Sequence, residues 1–173
     1  MQVILIRHGK AEAPDSKSPN GKADDIRPLT KEGKKRMRQA AHGMAKIMPK
    51  LDVIAHSPLE RAAQTADIVA GVYADHGGEV PLVVLPELSP GKRAALVLAW
   101  LQNQPPGALI ALVGHEPNLS RCAGLFVAGK EQRLVEMKKG AACVVDFPGT
   151  IAAGKGLLKA LVQPAVLRAI RCK

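Results

Sequence analysis

Five short apolar runs, each five to seven residues long, punctuate the chain at 2–6, 51–55, 81–85, 108–113 and 141–147. Their length and lack of polar alternation read as strands covered on both faces. The segments between them carry helical periodicity. After Thr30, a suitable N-cap, apolar Met37, Ala41, Met44 and Met48 recur at helical spacing, with Lys34, Lys35 and Arg38 on the opposite side and Pro49 as the stop. A second helix is expected to open at Ser57 as N-cap, with Pro58 in the first position and Glu60 closing a capping box. Its buried stripe would be Leu59, Ala62, Ala66, Val69 and Tyr73. A third helix is expected over about 92–103, ended by Pro105 and Pro106, and a fourth near Pro117. This alternation predicts an α/β fold, a three-layer α/β/α sandwich around a mostly parallel sheet. Residues 157–163 read as a last strand or a short helix, and Pro164 opens a terminal helix. Residues 10–29, with Pro14, Pro19, Gly21 and Pro28 among charges, read as a long functional loop.

At 173 residues the chain is expected to form one domain spanning 1–173. Aromatic residues make up only 2%, which assigns the core to Ala, Val, Leu and Ile. Cys122, Cys143 and Cys172 are odd in number and widely spaced, so neither a disulfide framework nor a Cys/His metal cluster is expected. The first apolar run is too short for a signal peptide, and no run approaches the ~20 residues that span a bilayer. A cytoplasmic location without membrane contact is the expectation. The formal net charge is +10, which favours anionic partners. It is uneven: residues 7–50 hold twelve Lys or Arg against five acids, and residues 155–173 hold five bases and no acid. So few aromatics speak against stacking on nucleic-acid bases, and the basicity suits phosphate recognition better.

In an open α/β sheet, ligands bind beyond the carboxyl ends of the strands. Arg7-His8-Gly9 follows the first run, His56-Ser57-Pro58 the second with Arg61 soon after, Glu87 the third, and Gly114-His115-Glu116 the fourth. Two histidines and two arginines therefore converge on one sheet edge. Arginine forks and helix N-termini can hold a phosphoryl group. A neutral His8 could attack phosphorus, its pKa lowered by the nearby cations, and His115 could donate to a phosphate oxygen.

The ordered set Arg7-His8-Gly9, Ser57-Pro58-Leu59-Glu60-Arg61-Ala62-x-Gln64-Thr65-Ala66 and Gly114-His115 resembles the histidine phosphatase superfamily, with its phosphoglycerate mutase-like fold. Arg27-Pro28-Leu29-Thr30-x-x-Gly33 and the small size look more like the SixA-type phosphohistidine phosphatase branch. The resemblance runs from residue 3 to about 120. It implies a hydrolase of phosphoric monoesters or phosphoramidates acting in signal transduction, with His8 as the phosphorylated nucleophile. Arg7, Arg61 and His115 would complete the phosphate pocket, Gly9 and Arg27 would contact substrate, and no metal or organic cofactor would be needed. It also implies an antiparallel strand near the end. Larger relatives carry an acid that SixA-type members lack. Glu87, 26 residues after Arg61, is a candidate general acid by position alone.

Structural readings stand beside these. His42 and His76 read as ordinary surface or core residues, and His56 as a neighbour of the site. Ser57 and Thr30 read as caps and Glu116 as solvated or part of a helix start. Arg61 could pair on the helix surface with Glu60 or Asp67. Gly91-Lys92 and Gly154-Lys155-Gly156 lack the P-loop pattern and read as turns. The bases Lys31, Lys34, Lys35, Arg36 and Arg38 form a solvated face, which with Lys10, Lys17, Lys22 and Arg27 could steer an acidic or phosphorylated protein. The expected partner is a phosphorylated protein, or a small phosphorylated substrate. A mutase ranks lower, needing an acid and a retained intermediate. A non-catalytic phosphate- or nucleic-acid-binding module is the alternative from another class. Oligomeric state has no sequence signal here.

Overall fold

The computed structural model describes residues 1–13 and 22–170. Six strands form one sheet in the order β3-β2-β4-β1-β5-β6: β1 (Gln2–Arg7), β2 (Val53–His56), β3 (Leu82–Val84), β4 (Leu109–Gly114), β5 (Ala142–Asp146) and β6 (Leu157–Val162). β1 to β4 are parallel, and β5 runs antiparallel to both β1 and β6. The fold is therefore the expected single-domain α/β sandwich with a mostly parallel sheet, the antiparallel strand near the end included.

Alternate residues of a strand point to opposite faces, and a central strand needs apolar residues on both. Val3 and Leu5 of β1 join Ile110 and Leu112 of β4 in one core, while Ile4 and Ile6 join Ala111 and Val113 in the other. α4 (Ala94–Gln102) and α5 (Asn118–Ala128) cover the first face with Val97, Leu101, Leu119 and Phe126. α2 (Lys31–Ile47), α3 (Glu60–Ala74) and α6 (Pro164–Ile170) cover the second. The remaining helix, α1 (Lys22–Asp25), is a single turn within the segment read as loop. Pro14, Lys17, Pro19 and Gly21 of that segment, and the side chain of Lys22, lie outside the described residues.

Both expected helical stripes are buried: Met37, Ala41 and Met44 on α2 with Met48 as its C-cap, and Leu59, Ala62, Ala66, Val69 and Tyr73 on or beside α3. Each fully buried Met or Val contributes roughly 1.5–3 kcal/mol. Thr30 caps α2 as expected, its Oγ1 accepting from the Gly33 N–H at 2.8 Å. Gly33 itself is required by close approach, since a Cβ there would lie 2.0 Å from the Lys10 carbonyl oxygen. This contact seats α2 directly on the loop that follows β1.

Three expectations need correction. Run 81–85 forms an edge strand paired only with β2, and Leu82, Val83 and Val84 are exposed rather than covered. α3 begins at Glu60 with Leu59 as its N-cap residue, so Ser57 and Glu60 build no capping box. The core also uses Phe126, Phe147, Met37, Met44 and Met137, each almost wholly buried. Both phenylalanines lie inside, while Trp100 packs half-buried against the core.

Candidate active site

The sheet register sets the site. Arg7 stands opposite Gly114, and the His8 N–H donates to the Gly114 carbonyl at 3.1 Å, so His8 and His115 leave adjacent strands at one level. Their ring centroids are 5.0 Å apart. On the far side of β4, the Ser57 N–H donates to the Val113 carbonyl at 3.0 Å, placing Ser57 in the same row. All three residues are buried.

Local bonding decides the state of His8. Its Nδ1 lies 2.7 Å from the Gly9 carbonyl oxygen. A carbonyl only accepts, so Nδ1 carries the proton and Nε2 keeps its lone pair. Burial lowers the His8 pKa to about 4, against the opposing pull of the Gly9 carbonyl and helped by the charges of Arg61, Arg7 and Lys139. The Gly9 N–H donates to Thr65 Oγ1 at 3.1 Å, and the Thr65 hydroxyl donates to the Arg61 carbonyl at 2.7 Å. This stitch ties the loop after β1 to the first turn of α3. It also engages both backbone groups of Gly9 within the protein.

His115 Nε2 lies 2.9 Å from Ser57 Oγ. The same Oγ accepts a long bond from the Leu59 N–H at 3.4 Å, and among the described residues His115 Nε2 is the one acceptor recorded for its hydrogen, which assigns that hydrogen to Nε2. His115 then holds its proton on Nδ1, which is buried without a partner. Ser57 is thus the orienting partner of a histidine, and this replaces its reading as a helix cap. Burial first, then the His8 and Arg61 charges, lower the His115 pKa to about 3, with Asp24 opposing.

Arg61 is buried and does not pair with Glu60 or Asp67. Its Nη1 donates to the Asp24 carbonyl at 2.6 Å and its Nη2 to Asp24 Oδ2 at 2.9 Å. Arg27 Nη2 holds the other oxygen of the same carboxylate at 2.6 Å, and its Nη1 donates to the Glu12 carbonyl. Burial raises the Asp24 pKa, but the Arg61 and Arg27 guanidiniums outweigh it and hold the carboxyl below its usual value. Arg7 Nη1 donates to the Met137 carbonyl at 2.6 Å. After these bonds, the Nε–H groups of Arg7 and Arg61 and the Nδ1–H of His115 remain buried donors without acceptors. Buried donors are almost always satisfied, so this cluster beside His8 suits an oxyanion.

Arg27 shares the Asp24 carboxylate with Arg61, and its own Nε–H is likewise buried without an acceptor. His56 is buried, its Nδ1 donating to the Ser57 carbonyl at 2.9 Å. His42 and His76 lie together elsewhere. Glu87 sits on the 3-10 turn Pro86–Leu88 after β3, with a buried Oε2 that has no partner. Glu116 is not simply solvated: its Oε1 accepts from the Ser120 N–H, its Oε2 is buried without a partner, and burial raises its pKa against the charge of Arg7. Sequence reasoning missed Asp24, the role of Ser57, Thr65 and Lys139. Thr65 stood within the quoted motif; Asp24 had no signal beyond lying in a loop marked as functional.

Two neutral buried histidines make a testable statement about pH. Both rings are expected to stay unprotonated from pH 7 to about 5, with the coupled pair taking up protons only near pH 4 and below. The unfolded chain protonates them near 6.5, so it binds more protons than the folded one below that value. Stability should therefore fall as pH drops from about 6.5 towards 4 and be insensitive to these groups above 7. Ring-proton NMR titration checks the first point; a midpoint near 6.5 for either ring would contradict the burial argument.

Residues 3–90 match the model of the histidine phosphatase superfamily, branch 1. The chain is 33% identical over 152 residues to the phosphohistidine phosphatase SixA of Escherichia coli K12, covering 86% of this chain and 88% of that one. It is also 33% identical over 141 residues to an uncharacterized protein of Picosynechococcus, covering 80% and 81%. A solved structure of the protein histidine phosphatase SixA complexed with tungstate superposes with a TM-score of 0.79 at 28% identity, over 96% of this chain and 99% of that one.

Proposed function

This chain belongs to the histidine phosphatase superfamily, and on that premise we propose that it hydrolyses phosphohistidine on a protein through a covalent intermediate on His8. The observation that carries the reading is the tautomer of His8, whose Nδ1–H is committed to Gly9 and whose Nε2 is a free nucleophile at neutral pH. In the first step the Nε2 lone pair attacks phosphorus. A new N–P bond forms as the bond to the substrate imidazole breaks, and the departing nitrogen takes a proton from solvent. In the second step water oxygen attacks phosphorus, the electron pair returns to Nε2, and inorganic phosphate leaves. The unpartnered N–H groups of Arg7, Arg61 and His115 hold the non-bridging oxygens throughout.

Support for a protein substrate is twofold. The similar Escherichia coli chain is named a phosphohistidine phosphatase. The link from β3 to α4, where a covering subdomain could be inserted, is only residues 85–93 with one 3-10 turn. The test follows phosphate release, with chelator present, from a phosphohistidine protein and from an aryl phosphate ester. Faster turnover of phosphohistidine is expected; an ester-only enzyme would overturn the substrate assignment and leave a phosphoester phosphatase.

Glu87 is proposed as the acid that serves ester leaving groups only, since an imidazole leaves without strong protonation. Glu87→Gln should slow hydrolysis of esters with poor leaving groups roughly tenfold and spare phosphohistidine. Unchanged ester rates would remove Glu87 from the mechanism. Ser57 is proposed as the positioning residue for His115. Ser57→Ala should lower kcat roughly tenfold or more with little change in KM, and Ser57→Thr should restore it. Equal kcat in all three proteins would show that the 2.9 Å bond is structural only.

A further inference from the structure

A groove of about 550 Å³ leads away from the phosphate pocket, which it meets at Arg7 and Gly9. Its walls are the loop after β1, the first half of α2, residues 138–140 and the start of α6. Among the described residues six cations line it, namely Arg7, Lys10, Arg36, Lys138, Lys139 and Arg168, and no acid does. Met37, Ala40 and Pro164 supply an apolar floor. Among the described residues only Arg36 of these six forms an ion pair, with exposed Glu32.

The walls are held in place. Gln163 Oε1 accepts from the Lys138 N–H at 3.1 Å, and its Nε2 donates to the Glu136 carbonyl at 2.7 Å, clipping 136–138 to the start of α6. Like charges crowded into a fixed concavity oppose folding. Partial burial, then Arg7, Arg27, Lys10 and Arg61, depress the Lys139 pKa, which registers that crowding.

We propose that this groove is a second subsite that takes an acidic segment of the substrate protein, with carboxylates flanking the phosphohistidine; the inference rests on the protein-phosphohistidine reading above. Its cations meet carboxylates along an extended chain, while the apolar floor accepts the intervening side chains. Among the described residues no aromatic side chain lines the groove, which disfavours stacking on nucleic-acid bases.

The test compares wild type with the triple variant Arg36→Gln, Lys138→Gln, Arg168→Gln, all three lying outside the phosphate pocket. The first readout needs no chemistry: fluorescence anisotropy of an unphosphorylated Asp/Glu-rich peptide. Binding should be roughly tenfold weaker in the variant and should weaken with salt. The second readout is kcat/KM for phosphohistidine peptides with acidic or neutral flanks. Wild type should prefer the acidic one roughly tenfold and the variant should show parity, with aryl phosphate hydrolysis equal in both proteins. The subsite is overturned if wild type binds acidic and neutral peptides alike, or if the variant keeps full preference. Tighter binding of a single-stranded oligonucleotide of equal charge would overturn the acidic-protein assignment. Hydrolysis of the ester but of neither phosphopeptide would sink the parent reading, while the anisotropy still decides the groove.

Discussion

Replacing His8 with Ala should abolish phosphate release, by a factor on the order of 10⁴ or more, and with it any acid-labile phosphate on the protein. The size of the effect follows from chemistry that nothing nearby can replace. His115 has its Nε2 committed to Ser57 and offers a donor, not a lone pair, on Nδ1. His56 Nε2 belongs to a ring anchored on the Ser57 carbonyl one strand further out. The fold should survive, because the sheet cores below the site do not include His8. Single-turnover labelling from a phosphoryl donor, quenched in alkali, gives the direct readout: one phosphate per chain in wild type and none in His8→Ala. Residual turnover within a hundredfold of wild type would remove the covalent step from His8.

Arg61→Ala should cost roughly a thousandfold in kcat/KM. One guanidinium serves two purposes. Its Nη1 and Nη2 are clamped by Asp24, which fixes the plane of the fork, and its Nε–H is left for the phosphoryl oxygen. Arg61→Lys should recover little of the loss, because a single ammonium cannot satisfy both Asp24 oxygens and a third acceptor in a fixed plane. Stability should change far less than activity, since the Asp24 carboxylate keeps Arg27 as a partner and is 42% exposed. Steady-state kinetics beside a thermal melt separates the two effects. A loss of less than tenfold for Arg61→Ala would place Asp24, and not a phosphoryl group, as the reason for the buried charge.

Much of this site was legible because its signals are local. A strand followed at once by Arg7-His8 or by Gly114-His115 puts those residues at a sheet edge whatever the rest of the chain does, and α/β geometry brings such edges together. Edge and centre were not legible: run 81–85 has the same apolar character as 108–113, yet β3 has one neighbour and β4 has two. Short apolar runs specify a strand, and the number of its neighbours depends on strand order.

The partners of polar side chains were the least legible. The sequence by itself determined the strand–helix alternation, the two buried helical stripes, and the placing of Arg7, His8 and His115 at strand ends with Arg61 in the helical turn that follows β2, because each depends on residue type and short-range periodicity. Only the tertiary structure decided that Ser57 turns from the start of α3 to His115, 58 residues away, and that Asp24 clamps Arg61 across 37 residues. It alone brought the two basic ends of the chain together around one groove. The physical reason is that a hydrogen-bond partner or a shared groove wall is chosen by where strand order and helix packing deliver a side chain, and neither is written in the spacing of residues along the chain.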